Sequence, residues 1–419
     1  MKLISTRDRG AKARIATLTT RRSPAYERVL PTAKRIVDSV RKGGDPALLR
    51  YATKFDGFKR QSQLRIPEND IQAAWETISP ALRAALKTAE KNIRSFAEWQ
   101  RPKEWSYSPV PGLTVGQQIR PISAVGCYVP SGRYPLPSTL LMTAIPAQVA
   151  GVERIAVVSP RPAQETLAAA AMLGITEVYR IGGAQAIAAL AYGTKSIPRV
   201  DKIVGPGNAF VTAAKKLIAF DCAIDMLAGP TEIVVASETG NPAEITSDLI
   251  AQAEHDPDAL AVFITSKATL AKAVTAEAKR QMRGNTIAAE ALAHNGFVIV
   301  TATNEETHAI VNAIAPEHLT VDAETDLAWV KNAGSVFIGR LSAQPLGDYV
   351  SGPNHTLPTS GLAQVRGGLS VMDFVKIITV QEYQQKGLHK LGPAAITLAE
   401  AEGLHGHAEA IRTRGVKTS

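Results

Sequence analysis

The stretch that decides the fold class opens with Ala124-Val-Gly-Cys-Tyr128 and closes with Arg154-Ile-Ala-Val-Val158, two short apolar runs. Runs of this length and composition are typical of buried strands. A segment of helical pattern, from about 138 to 150, lies between them. A helix that joins two strands returns the chain to the same end of the sheet, so that the strands run parallel. The stretch therefore predicts a βαβ unit.

The alternation of strands and helices continues beyond this stretch. Further strands are predicted at 177–181, 202–204, 232–236, 261–265, 297–300 and 335–338. Repeated βαβ connections produce parallel sheets that carry helices on both faces. We therefore predict an α/β fold with two Rossmann-like parallel-sheet units, a new unit beginning near Glu232.

The flanking regions are predicted to be mainly helical. Ser23-Pro24 and Ser79-Pro80 each place a capping residue before a proline, the order that begins a helix. Gly43-Gly44 ends one helix and Asp45-Pro46 begins the next, whereas 113–122 is predicted to be extended. From about Ile377 the chain has helical periodicity, and we predict no strand there.

These patterns divide the chain into four parts. We predict a basic N-terminal arm (1–23), a first α/β unit with N-terminal helices (24–123 plus 232–376), a second α/β unit (124–231) and a helical C-terminal tail (377–419).

The composition is ordinary for a soluble globular enzyme, with 45% hydrophobic and 20% charged residues in 419. No apolar run reaches the roughly 18 residues that a membrane span requires, and the first residues lack the apolar segment of a signal peptide. Two cysteines fit a reducing cytoplasm. We expect Cys127 to be a core residue and not a nucleophile, because free cysteine is usually buried.

The net charge of +9 has a local origin, because basic residues crowd the N-terminal arm. No aromatic residue is interleaved with these charges, and no nucleic-acid-binding motif follows them. We therefore expect no nucleic-acid partner. The arm is expected to be solvated or to attract an anionic cofactor such as a dinucleotide.

Side chains suited to metal binding and proton transfer cluster in the second half of the chain. Gln252 and His255 are three residues apart near the end of a predicted helix, so they leave the same face. They either share a metal ion or form an ordinary polar pair. Glu317-His318 either supplies two general bases or is a buried histidine beside an exposed acid. Asp348 and His355 add further ligand types.

Two glycine-containing turns, Gly182-Gly183 and Gly205-Pro-Gly-Asn208, follow predicted strands and precede helices. Such turns present backbone amides that suit a phosphate. Neither turn has the Gly-x-Gly-x-x-Gly pattern of dinucleotide-binding folds. Because they end successive strands of one sheet, they mark the expected ligand edge of the second unit.

Eight motifs together carry a resemblance to a known family. They are Val125-Gly-Cys-Tyr-Val-Pro-Ser-Gly132, Pro137-Ser-Thr-Leu-Leu-Met142, Gly182-Gly-Ala-Gln-Ala186, Val204-Gly-Pro-Gly-Asn208, Ala228-Gly-Pro-Thr-Glu232, Gln252-Ala-Glu-His255, Ala315-Pro-Glu-His-Leu319 and Gly347-Asp-Tyr-Val-Ser-Gly-Pro-Asn-His355. The chain resembles histidinol dehydrogenases over about 24–412.

The resemblance implies a cytoplasmic, zinc- and NAD-dependent enzyme that oxidises L-histidinol through L-histidinaldehyde to L-histidine, the end of histidine biosynthesis. It also implies the site residues. The expected zinc ligands are Gln252, His255, Asp348 and His407; the bases are Glu317 and His318; further substrate contacts are Thr231, His355 and Glu402; the NAD contacts are Tyr128, Gln185 and Asn208. The metal and catalytic site would belong to the first α/β unit, and NAD to the second.

The resemblance further implies a homodimer with shared active sites, in which the tail crosses to the partner. Glu402 and His407 would then serve the neighbouring site, with His355 as a further candidate. One position departs from the family, which usually has Ser where this chain has Thr231. The added methyl group leaves open a paralogous NAD-dependent dehydrogenase of another small amino alcohol or sulfonated diol, although the carboxylate of Glu402 would repel a sulfonate.

Overall fold

The computed structural model describes residues 1–20, 25–58, 64–131, 134–282 and 284–416, so that the predicted helix start at Ser23-Pro24 lies outside the described residues. The chain forms two compact units with other bounds than the predicted α/β units. In the folded protein the first unit is Met1–Gln100 with Ser123–Asp373, and the second unit is Arg101–Ile122 with Phe374–Ser419. No helix within the described residues is long and apolar enough to cross a membrane.

The helices and strands are numbered here in chain order. The helices are α1 Ala11–Thr19, α2 Ala25–Asp56, α3 Glu68–Thr77, α4 Pro80–Trp99, α5 Pro137–Ala150, α6 Gln164–Met172, α7 Gly183–Tyr192, α8 Ala209–Ile218, α9 Pro242–Ala253, α10 Ala268–Gln281, α11 Thr286–Asn295, α12 Asn304–Ile314, α13 Gln344–Tyr349, α14 Gln385–Ala401 and α15 His405–Arg412. The strands are β1 Lys2–Ser5, β2 Trp105–Val110, β3 Leu113–Pro121, β4 Ala124–Tyr128, β5 Arg154–Val158, β6 Glu177–Tyr179, β7 Lys202–Val204, β8 Ala223–Ile224, β9 Glu232–Ala236, β10 Leu260–Thr265, β11 Gly296–Val300, β12 His318–Val321, β13 Ser335–Ile338 and β14 Val375–Tyr383.

The first unit contains two parallel sheets, which confirms the predicted α/β fold class. One sheet has the order β1-β11-β10-β9-β12-β13 and the other the order β6-β5-β4-β7-β8. From β9 in the six-stranded sheet and from β4 in the five-stranded sheet, the chain adds two strands on one side and then crosses to the other side. The crossing points lie between β9 and β12 and between β4 and β7. Open α/β sheets usually bind ligands at such points outside the carboxyl ends of the strands. The cavity described below instead lies at the amino ends of β9 and β12.

Helices cover both faces of the six-stranded sheet. Alternate residues of β9 explain this arrangement, because Ile233 and Val235 pack with α9, α10 and α11, whereas Val234 packs with residues of α1 and α12. Every residue of β9 and β10 is buried. A strand that is apolar on both faces can only be central in a layered fold, which is why these runs were recognisable in the sequence.

The N-terminal 20 residues are folded and do not form an arm. Strand β1 pairs in parallel with β11 and extends the six-stranded sheet, and α1 follows it. Ile4, Ala11 and Leu18 are buried and anchor this segment, while its basic side chains remain at the surface. The many basic residues of this segment led to the prediction of an arm, because its few buried apolar residues were not recognised in the sequence.

Two predicted boundaries among the helices are confirmed. The backbone of α2 is broken at Gly44, where φ is 52°, a value that favours glycine. Ser79 caps α4 by accepting a hydrogen bond from the Leu82 amide at 3.2 Å, and Pro80 occupies the first turn. Helix α3 was not predicted.

The second unit contains the three-stranded antiparallel sheet β14-β3-β2 and helices α14 and α15. The prediction of an extended segment at 113–122 is confirmed by β3. The prediction that the tail lacks strands is wrong, because β14 pairs with β3 from Val375 opposite Pro121 to Tyr383 opposite Leu113. The β-branched residues of β14 favour this strand, but its partner is far away in the sequence.

Candidate active site

A cavity of about 210 Å³ lies at the amino ends of the neighbouring strands β9 and β12. Its polar lining residues are Ser138, Thr139, Asp225, Thr231, Gln252, His255, Glu317, His318, Asp348, Tyr349, His355, Thr356 and Thr359. All of them belong to the first unit. Seven of the twelve expected site residues therefore meet in one cavity.

The two expected bases form a close pair inside this cavity. His318 begins β12 and Glu317 precedes it, and both side chains are buried. The distance from His318 Nδ1 to Glu317 Oε2 is 3.7 Å. Glu317 Oε2 also accepts hydrogen bonds from the Thr231 hydroxyl at 2.5 Å and from the Glu232 amide at 2.8 Å. Neighbours along the chain thus reach the same space, which spacing alone did not indicate.

Both groups have a raised proton affinity. Burial raises the pKa of Glu317 above its usual range, despite opposing contributions from His318, Thr231 and the Glu232 amide. Burial by itself lowers the pKa of His318, but the carboxylates of Glu317 and Asp348 outweigh it, so that the pKa of His318 is raised. A carboxylate and an imidazole with raised pKa values are stronger proton acceptors than the free side chains.

Asp348 connects three other groups of the site. Its Oδ1 lies 3.5 Å from His318 Nε2, and its Oδ2 accepts a hydrogen bond from Gln344 Nε2 at 2.8 Å. The ring of His355 donates from Nδ1 to the Asp348 carbonyl oxygen at 2.8 Å. Burial alone would raise the pKa of Asp348, but contacts with His318, His355 and Gln344 hold it below the usual range. His355 therefore contributes to the cavity of its own chain.

Three of the four residues expected to bind zinc, Gln252, His255 and Asp348, line this cavity. Gln252 is buried in the last turn of α9, where its side-chain nitrogen donates a hydrogen bond to the Thr231 hydroxyl. His255 lies just beyond the end of this helix, and its exposed side chain lines the cavity. Gln252 Oε1 is buried without a hydrogen-bond partner among the described residues. Within that same part of the chain, no three His, Cys, Asp or Glu side chains form a group that holds a metal ion.

The remaining expected zinc and substrate residues belong to the second unit. Glu402 follows the last residue of α14, and His407 lies in the first turn of α15. Both side chains are exposed. The cavity of the first unit is therefore formed without them.

Two residues that are expected to bind the cofactor lie at the turn that follows β6. The hydroxyl of Tyr128, the last residue of β4, accepts a hydrogen bond from the Gly183 amide at 3.1 Å. Gln185 lies in the first turn of α7 and is 2% exposed. The Gly183 amide, expected to be available for a phosphate, is thus already engaged by a side chain.

The third expected cofactor residue, Asn208, caps α8 by accepting hydrogen bonds from the Phe210 and Val211 amides. The preceding turn passes close to β4, because a Cβ atom on Gly205 would lie 2.2 Å from the Tyr128 carbonyl oxygen. The Gly205 φ of 109° also favours glycine. The Gly205 amide donates to Asp225 Oδ2 at 2.7 Å, so an internal carboxylate occupies this turn.

Sequence reasoning missed two positioning groups of the cavity. Gln344 is buried and holds Asp348 from one helical turn earlier, a four-residue spacing that was present in the sequence. The Glu232 carbonyl oxygen lies 3.2 Å from His318 Nδ1 and accepts its proton in a hydrogen bond. A backbone group has no signature in the sequence, so this contact was not predictable.

Comparison with known proteins agrees with the resemblance in the sequence. The family model for histidinol dehydrogenase matches residues 19–415. The histidinol dehydrogenase of Methanothermobacter thermautotrophicus is 45% identical over 414 residues, which cover 96% of this chain and 97% of that protein. That of Listeria innocua is 45% identical over 404 residues, which cover 94% of each protein.

Solved structures show the same relationship. The crystal structure of the histidinol dehydrogenase from Elizabethkingia anophelis matches with a TM-score of 0.93 at 34% identity, covering 99% of this chain and 98% of that chain. An acetylating aldehyde dehydrogenase from Geobacillus thermoglucosidasius, with a TM-score of 0.50 at 13% identity, shares the fold alone. The protein is an oxidoreductase enzyme, and the chain belongs to the histidinol dehydrogenase family.

Proposed function

We propose that the protein catalyses the zinc- and NAD-dependent, four-electron oxidation of L-histidinol through L-histidinaldehyde to L-histidine in the cytoplasm. The observation that carries this proposal is the pair of Glu317 and His318, two adjacent bases with raised pKa values in one buried cavity. Oxidation of an alcohol to an acid requires the removal of a proton from the alcohol and of another from the water that adds to the aldehyde. Two bases can each accept one of these protons.

The proposed roles follow from the contacts of each base. His318 accepts the alcohol proton, because its ring stands between the carboxylates of Glu317 and Asp348, which stabilise the resulting cation. Glu317 accepts a proton from the attacking water, and the Thr231 hydroxyl keeps its carboxylate in place. Tyr128, Gln185 and Asn208 would hold NAD, which would supply the hydride acceptor.

Zinc is proposed to bind to Gln252, His255 and Asp348, with the partner's His407 as the fourth ligand. The unpartnered, buried Gln252 Oε1 supports this proposal, since such an oxygen is costly unless it meets a donor or a cation. Imidazole, carboxylate and carbonyl donors fit a borderline ion such as zinc. When bound, zinc supplies a Lewis acid that anchors the nitrogen atoms of the substrate. Glu402 offers a charge partner for the substrate ammonium group.

The purified protein is expected to convert L-histidinol to L-histidine with two NADH formed per substrate, because a four-electron oxidation reduces two NAD. Product chromatography and absorbance at the NADH band measure both quantities. Thr231→Ser is the matched control for the departure from the family, since it removes one methyl group and keeps the hydroxyl that donates a hydrogen bond to Glu317. Turnover of another amino alcohol or a sulfonated diol, with none of L-histidinol, would transfer the assignment to the paralogous dehydrogenase.

We further propose a homodimer in which the second unit completes the partner's site. The sheet of the second unit supports this proposal, because it exposes large apolar side chains in a monomer. These are Trp105, Tyr107, Ile377, Ile378, Val380 and Tyr383. Trp105, Tyr107, Ile377 and Tyr383 lie on one face of this sheet, and Ile378 and Val380 lie on the other. Large apolar side chains exposed together on a sheet are usually covered in an assembly. The exposed His407 and Glu402 belong to the same unit.

Mixing two inactive variants tests the shared site. His255→Ala and His407→Ala are each expected to lose retained zinc and activity. In a mixed dimer one site carries both lesions and the other carries neither, so random mixing should restore roughly a quarter of the wild-type activity. The neighbouring His405→Ala serves as the control and should retain both zinc and activity. Mixed dimers that form, as mass spectrometry would show, yet remain inactive would contradict the exchange.

A further inference from the structure

Three side chains from different elements surround the turn Gly182-Gly183 at the carboxyl end of β6. Gln185 Nε2 donates a hydrogen bond to Asp56 Oδ2 at 3.1 Å, and the Asp56 carboxylate also accepts one from the Gly182 amide. The Tyr128 hydroxyl accepts from the Gly183 amide. Asp56 is the last residue of α2, a helix outside the sheet.

These hydrogen bonds determine what the turn is able to bind. A phosphate at a helix start needs free backbone amides. Here the amides of Gly182 and Gly183 already donate to Asp56 and Tyr128, and the carboxylate brings a negative charge to the start of α7. The turn therefore lacks the free amides that a phosphate requires. What Asp56 offers instead is a carboxylate, which accepts hydrogen bonds from hydroxyl groups.

The position of this carboxylate is unusual for a dinucleotide-binding fold. In such folds an acid that follows the second strand accepts hydrogen bonds from the adenosine ribose, whereas an arginine there accommodates the 2′-phosphate of NADP. The second strand of this sheet is β5, and it is followed by Ser159-Pro-Arg161, which contains an arginine and no acid. The positive charge of Arg161 lowers the pKa of Asp56, although burial outweighs this effect. The sequence after β5 alone would thus favour NADP.

We propose that Asp56 is the residue that selects NAD over NADP: its carboxylate, held by Gln185 and the Gly182 amide, accepts the ribose hydroxyls and excludes a 2′-phosphate. The inference rests on the proposed function, because it takes Tyr128 and Gln185 as neighbours of the bound dinucleotide. Gln185 is then the positioning residue for Asp56, which agrees with its 2% exposure. Asp56 keeps more of its surface exposed and can touch a bound molecule.

The charge of Asp56 opposes that of Arg161, and burial decides their relative strength. Asp56 is partly buried against Gln185, so water screens its charge less than that of the exposed Arg161. A like charge placed beside a poorly screened one is strongly disfavoured. We therefore expect exclusion of the 2′-phosphate by Asp56 to dominate over its attraction to Arg161.

Calorimetric titration of the substrate-free protein with NAD and with NADP tests this selection without any turnover. Wild-type protein should bind NAD more tightly, and Asp56→Asn should narrow the ratio of the two dissociation constants by about tenfold or more, mainly by tighter NADP binding. Asp38→Asn is the matched control, because Asp38 is an exposed acid on the same helix that pairs with Lys34. It should leave the ratio unchanged.

A second variant identifies the group that attracts the phosphate. Adding Arg161→Gln to Asp56→Asn should remove most of the gain in NADP affinity. Asp56→Ser replaces Asp56→Asn if the latter has a reduced melting temperature, since it also removes the charge. An unchanged ratio in these variants, or an equal loss of both dinucleotides, overturns the selection by Asp56. Wild-type protein that binds neither dinucleotide overturns the cofactor of the proposed function itself, and the selection with it.

Discussion

Replacing Glu317 with glutamine is expected to slow the oxidation of supplied L-histidinaldehyde by about 10²- to 10⁴-fold, the usual contribution of a general base. The amide oxygen can still accept the hydrogen bonds from Thr231 and the Glu232 backbone, so the site should keep its shape. The amide cannot accept a proton from water. The first step, from alcohol to aldehyde, should slow far less, because His318 remains.

The two half-reactions are measured separately by following NADH from L-histidinol under single-turnover conditions and from the aldehyde. His318→Gln provides the reciprocal variant, in which the alcohol step should slow more. Thermal unfolding of both variants checks that the fold is retained. Equal losses of Glu317→Gln in the two half-reactions would refute the assignment of water activation to this residue.

Replacing Lys215 with methionine should lower the free energy of unfolding by about 3–5 kcal/mol, because it leaves a buried carboxylate without its cation. Lys215 Nζ and Asp225 Oδ1 are 2.6 Å apart, with 2% and 1% of their side chains exposed. Lys215 also donates to the Gly205 carbonyl oxygen at 2.6 Å. The pair thus fastens α8 to the turn that leads to Asn208.

Urea denaturation measures this loss of stability. Lys216→Met is the matched control, since the adjacent Lys216 is exposed and contacts the ring of Tyr26, and it should change the free energy of unfolding by no more than about 0.5 kcal/mol. Combining Lys215→Met with Asp225→Leu should recover part of the loss, because no unpaired charge is then buried. Equal stabilities of the Lys215→Met and Lys216→Met proteins would show that the pair is not buried in solution.

The buried position of this pair was not apparent from the sequence. Lys215 lies in the last turn of a helix, where basic residues are common on exposed faces. Asp225 follows β8, a strand of two residues that no periodicity indicated. The turn at Gly205 contacts both charged groups, because its carbonyl oxygen accepts a hydrogen bond from Lys215 and its amide donates one to Asp225.

The catalytic pair shows the same division. The residue types at Glu317 and His318 indicated proton transfer, but adjacent side chains usually diverge, and strand β12 was not predicted. In the folded protein β12 begins beside β9, so that Thr231 and the Glu232 amide reach Glu317. The hydrogen bonds that hold the Glu317 carboxylate in place therefore come from residues 86 and 85 positions earlier in the chain.

The sequence by itself determined the α/β class, the parallel direction of the central strands and the helix boundaries at Gly44 and Ser79. These features depend on periodicity, capping and glycine conformations, which act over a few neighbouring residues. Tertiary structure alone decided that β1 and β14 join sheets, that carboxylates occupy the glycine turns, and that seven of the expected site residues share one cavity. Those outcomes depend on strand pairing and burial between distant segments, whose partners are specified only when the whole chain is packed.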